Sequence, residues 1–194
     1  MLVSTVVVAL VLSGCSRERL GPPPAGTHKR ASATPIAYYL DKGATDTLEL
    51  GVREAFQLWA DATKFKFSYG GKIKARIARD GRNEVLLVKK WPNELPIGAA
   101  AWSQLYLDSS GSIVEADILL NTEAFAFTTK REAKAGELYI EDVLAREIGR
   151  TLGIGAGIGE DSGAKGRSAA IGDAFEPGID PAEMAAYLSL YAAE

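Results

Sequence analysis

The chain has 194 residues, 47% of them hydrophobic and 24% charged, with a formal net charge of −3 and a pI near 5.4. That length holds one domain and a short appendage, its composition excludes a disordered or polytopic membrane protein, and its acidic balance gives no footing for nucleic acid. One cysteine excludes a disulfide framework and any multi-cysteine zinc ribbon, and one histidine excludes every site that needs two imidazoles.

Leu2 to Leu12 is an uncharged apolar run. It is too short for the ~20 helical residues of a bilayer span and right for the core of a signal peptide. It ends in Leu12-Ser13-Gly14-Cys15, which resembles a bacterial lipoprotein signal. The resemblance implies that residues 1–14 are removed and that Cys15 carries a lipid holding the protein to a membrane. Ser16, in place of Asp, favours the outer membrane or cell surface.

Residues 15–35 read as the lipidated Cys15 and a tether. Arg17 to Pro35 holds three consecutive prolines, scattered Gly, Ser and Thr, and almost no large apolar side chain, so it cannot build a core. Four basic residues against one acidic residue give this segment +3 and leave −6 for Ile36 onward. His28 lies here and is expected outside the fold, in a solvated linker, and not as a ligand.

Residues 36–194 form the domain. Ile36 to Leu40 is β-rich and turns at Asp41-Lys42-Gly43. Leu48, Val52, Ala55, Phe56 and Trp59 fall on one helical face. Phe65-Lys66-Phe67 and Ile73 to Ile77 alternate as half-buried strands do, and Glu84 to Trp91 reads as another strand. Ala101 to Leu107 and Ile113 to Asn121, joined by Asp108-Ser109-Ser110-Gly111, form a hairpin by turn chemistry. A second helix is predicted from Ile140 to Leu152. The glycine run from Gly153 to Gly159 follows a helix, fits neither phosphate-binding pattern and reads as a loop. Asp180-Pro181-Ala182-Glu183 starts a last helix whose buried stripe is expected at Met184, Leu188 and Tyr191. The order predicts an α+β fold: a mixed, mostly parallel twisted sheet with an antiparallel edge hairpin, packed on two long helices plus a C-terminal helix.

Within the second helix, Arg146-Glu147-x-x-Arg150-x-x-Gly153-x-x-Ala156 resembles the H-E-x-x-H-x-x-G-x-x-H zinc helix of metzincin metallopeptidases. The Glu and the Gly are in register, while Arg146, Arg150 and Ala156 stand at the three zinc-ligand positions. The opening strand, the helix ending at Trp59, the hairpin with Ala116 to Asn121, and the closing helix are similar in order to a matrixin catalytic domain. The resemblance covers Ile36 to Tyr191.

In that family a zinc ion activates water, and the Glu acts as general base. Here the resemblance leaves Glu147 as a vestigial base. Arg146 and Arg150 bring permanent charge without a lone pair, and Ala156 brings no donor at all. The Met that underlies the zinc in metzincins has no counterpart near Arg167 to Ile171. No cofactor is expected, zinc being lost. Asp142 is placed to pair with Arg146, and Glu160 or Asp161 with Arg150. The implied protein is a catalytically inactive, pseudoprotease-like envelope lipoprotein and a monomer. It would bind an extended peptide or protein partner at the family's edge strand, here Trp102, Gln104 and Tyr106. The alternatives are a zinc metalloendopeptidase with non-standard ligands and Glu147 as base, and a structural envelope lipoprotein.

Overall fold

A computed structural model describes residues 20–23, 27–31, 35–154, 179 and 181–191. The elements run β1 (Ile36–Asp41), α1 (Asp46–Ala62), β2 (Phe67–Ile73), β3 (Asn83–Val88), β4 (Ala101–Leu107), β5 (Ile113–Asn121), β6 (Ala126–Thr128), β7 (Glu137–Tyr139), α2 (Ile140–Thr151) and α3 (Pro181–Tyr191). The fold is α+β. Its five-stranded sheet has the order β2-β1-β3-β5-β4, all parallel except β4, which pairs antiparallel with β5 at the edge. Strands β6 and β7 form a small parallel pair beside it that the sequence pattern does not announce. No helix among the described residues is long and apolar enough to cross a membrane.

Side chains alternate strictly between two faces of the sheet. Ile36, Tyr38, Leu40, Val85, Ala101, Ile118 and Leu120 face the helices and meet Val52, Phe56, Trp59, Leu144 and Ile148, all buried. Helix α1 starts on Thr45, whose Oγ1 accepts from Leu48 N at 3.2 Å, with Asp46 and Glu49 facing the dipole in its first turn. Trp59, fully buried, donates from Nε1 to Ala145 O at 2.7 Å and so fixes α1 on α2.

Three expectations are corrected. The strand after α1 is Phe67–Ile73, lying between the two runs that alternate in sequence. Its middle is Gly70-Gly71, which carries no pattern. A Cβ on Gly70 would come within 2.2 Å of the Tyr39 ring, and the β1–β2 register shifts there, between Tyr38 and Leu40. Ala75 and Ile77 instead pack on the sheet face opposite the helices. Strand β3 ends at Val88, short of Trp91. In α3 the buried residues are Tyr187 and Tyr191, with Met184 packed against the core, while Leu188 is 53% exposed. The stripe passes through Tyr187, which sits beside Tyr191 and Phe65.

The largest correction concerns residues 27–31, which are not a solvated linker. His28 and Arg30 are buried, and the His28 ring lies 3.0 Å from Gly111 O at the hairpin turn. Ala31 N donates to Ile113 O and Ile113 N to Lys29 O, so the segment pairs with the start of β5. Arg30 N donates to the Tyr191 hydroxyl at 2.7 Å, and its guanidinium to Asn83 Oδ1 at 2.6 Å. Burial lowers the Arg30 guanidinium to about 10. Composition alone excluded a core within this segment. It did not exclude a groove elsewhere that accepts its backbone.

Candidate functional site

Helix α2 carries the family-like residues. Glu147 is buried against β4, and both of its carboxylate oxygens are engaged. Ser103 Oγ lies 2.7 Å from Oε2 and 3.0 Å from the Glu147 carbonyl, so its one proton bridges the edge strand to the helix. Arg150, one turn on, donates from Nη1 to Oε1. The Glu147 side chain is 6% exposed and that of Arg150 33%, so this pair is only partly screened. The partner expected for Arg150 was Glu160 or Asp161, which lie outside the described residues; the partner present is Glu147 itself.

Arg146 is exposed. Burial lifts the Asp142 carboxyl above its ordinary range while Arg146 draws it back, yet no salt bridge within 4 Å joins the two. Ala156 lies outside the described residues, as does Cys15. The donor set does not suit zinc: guanidinium and methyl groups offer no lone pair, and the one carboxylate on this face is held by Arg150 and Ser103. Among the described residues no three His, Cys, Asp or Glu side chains are placed to hold a metal ion together.

Helix α2 stops where the zinc-helix pattern puts its glycine. Ile154 N donates to Gly149 O and Gly153 N to Arg150 O, the double closure of a Schellman end, with Gly153 at φ +86°. A Cβ at Gly153 would stand 1.9 Å from His28 O. The glycine is thus required by the turn and by the N-terminal segment that lies on it.

Strand β4 is the sheet edge. Its register with β5 places Trp102 opposite Leu119, Gln104 opposite Asp117 and Tyr106 opposite Glu115. Those three side chains therefore lie on the face away from α2, while Ser103 faces it. Gln104 and Tyr106 are buried, and Gln104 Oε1 accepts from Gly21 N at 3.2 Å. What β4 presents at the edge is backbone.

The same far face holds a buried acidic cluster that sequence reading did not single out. Glu84, Glu115 and Asp117 are all nearly inaccessible. Asp117 accepts from Glu84 N at 3.1 Å and from the Tyr106 hydroxyl at 3.2 Å. Burial pushes it up to about 8, with Glu115 and Glu84 adding to the rise. Glu115 accepts from Asp80 N and Gly81 N, and Glu84 Oε2 from Arg76 N, so the two carboxylates fasten the loop between β2 and β3 to the sheet. Burial raises both, and Glu84 Oε1 has no hydrogen-bond partner. A signal did exist: Glu115 and Asp117 sit two apart inside an otherwise apolar strand, which puts them on one face.

No protein-family model matches this chain, and no curated protein matches it.

Proposed function

We propose that the protein is a lipid-anchored envelope lipoprotein whose domain is a catalytically inactive, matrixin-like relative of zinc metallopeptidases. In this reading it binds an extended peptide or protein segment along the outer edge of β4. The observation that carries it is the state of Glu147. A general base needs a carboxylate open to an activated water, and Glu147 is buried with Arg150 on one oxygen and Ser103 on the other. The same contacts hold α2 against β4, whose outer edge has no strand partner among the described residues. An edge strand braced from behind and open in front is suited to accept a further strand through main-chain hydrogen bonds. No cofactor enters this reading.

Hydrogen exchange with a library of extended peptides tests the proposal, using the chain from Leu20 onward. Slowed exchange at the amides of residues 101–107, with the helices unchanged, is the expected result. Absence of binding throughout the library removes it. Stoichiometric zinc in the purified protein, with proteolysis abolished by Glu147→Ala, would replace it with the metallopeptidase reading.

A further inference from the structure

The loop joining β3 to β4 carries features that the peptide-binding reading does not use. Ile97 is 98% exposed, the most solvated large apolar side chain among the described residues. Lys89 and Lys90, at the start of the same loop, are exposed as well. The loop is nonetheless braced. Trp91 N donates to Glu123 Oε2 at 2.5 Å, Trp91 Nε1 to Pro96 O at 3.2 Å, and Asn121 Nδ2 to Ala99 O at 2.9 Å. Leu95 is buried beneath it with Leu86 and Leu119, and Trp91 packs on the same cluster. A rigid loop thus holds an isoleucine out in water beside two lysines and a half-buried tryptophan, the residue types of a membrane interface.

The position of the N-terminal chain says what covers it. Leu20 packs against that same Leu86–Leu95–Leu119 cluster, and Gly21 N is fixed on Gln104. Leu20 stands five Cα steps from Cys15, and the four residues between them include the basic Arg17 and Arg19 and the acidic Glu18. At most ~3.6 Å per residue, that leash reaches about 18 Å. A domain of this size is roughly 40 Å across, so the leash is shorter than half a turn around it. With the lipid on Cys15, the sheet face bearing Leu20 and the Ile97 loop is drawn toward the bilayer, and the helices are turned away.

We infer that the Lys89–Gly98 loop is a membrane-docking surface that seats Ile97 in the interface of an anionic bilayer, with Lys89 and Lys90 on the headgroups. The inference rests on the lipoprotein reading of Cys15. Partner capture at β4 would then occur beside the membrane, with α1 facing the aqueous compartment.

The full chain, matured and lipidated, is reconstituted into vesicles of phosphatidylethanolamine and phosphatidylglycerol at 3:1. Because a lipidated Cys15 leaves no free thiol, Ile97→Cys and Leu50→Cys each accept one environment-sensitive fluorophore. Leu50 is 54% exposed on α1, on the opposite layer. The expected result is a blue shift and protection from iodide quenching at position 97 and neither at position 50. Replacing Lys89 and Lys90 by Glu removes the shift. A label at 97 quenched as readily as one at 50 overturns the inference while leaving the lipoprotein reading intact. Mass spectrometry showing Cys15 without lipid overturns both.

Discussion

Glu147 shows how one carboxylate changes meaning with its neighbours. Beside a metal it would be a base; here it is the contact through which α2 grips the edge strand. Charge-assisted hydrogen bonds of this kind contribute ~1.5–3 kcal/mol each, and removing the carboxylate takes the acceptor from the half-buried Arg150 and leaves Ser103 only the Glu147 carbonyl. Glu147→Ala is therefore expected to lower unfolding stability by about 2–4 kcal/mol, and Glu147→Gln, which keeps an acceptor, by about 1. Urea unfolding of the two variants checks this. Equal loss in both would mean that the ionised pair with Arg150 sets the stability and the Ser103 bond adds nothing. The identity of Glu147 as a special position is legible in the spacing Arg146-Glu147-x-x-Arg150-x-x-Gly153. Its engagement is not, because Ser103 lies 44 residues away in sequence.

At the scale of elements, the hairpin of β4 and β5 is fully legible because its turn chemistry and its alternation agree. Strand β2 is not, since Gly70 is required by the Tyr39 ring beside it and Gly71 by its left-handed backbone at φ +96°. The N-terminal segment is the extreme case. Its residues contribute few apolar contacts, yet its backbone is bound by Ile113, its Arg30 by Asn83, and its amide by Tyr191, whose hydroxyl also lies against Leu152 O. A chain beginning at Ile36 should therefore be less stable than one beginning at Leu20 by roughly 2–5 kcal/mol, the six hydrogen bonds named above being lost against the entropy gained by the freed segment. Thermal unfolding of the two chains measures it, and identical melting would show the segment to be a passenger. Gly153→Ala probes the same junction from the other side. Left-handed backbone costs ~1–2 kcal/mol for a residue with a Cβ, and His28 O must also move, so a loss of at least ~2 kcal/mol is expected. In the chain beginning at Ile36 the steric part of that loss disappears, which is a test independent of the first.

Across the whole molecule two sets of carboxyls titrate in opposite senses. Asp117, Glu84 and Glu115 are raised by burial, so the folded state holds protons that the unfolded chain releases. Their effect on stability is most favourable below the unfolded carboxylate range and declines as pH rises toward the folded value of Asp117, about 8. Asp46, Glu49 and Asp108 are lowered, by Lys72 and by Ser110, and lend stability that is lost only as pH falls below the ordinary carboxylate range. The denaturation midpoint should therefore peak near pH ~5 and fall toward pH 9. Asp117→Asn keeps an Oδ1 acceptor for Glu84 N, reverses the second contact so that Nδ2 donates to the Tyr106 hydroxyl oxygen, and removes the charge, so it is expected to flatten the alkaline limb and to be the more stable protein at pH 8. Parallel slopes in the two proteins would assign the limb to other groups.

Read by itself, the amino-acid sequence determined the α+β layer arrangement, the edge hairpin and the position of the second helix, because each rests on local periodicity or on residues close together in the chain. Only the tertiary structure decided that Glu147 is occupied, that a Pro-rich segment lies in a groove of the domain, and that three carboxylates share one buried face. Those depend on pairings across tens of residues, where burial and hydrogen-bond partners, not composition, set what a side chain does.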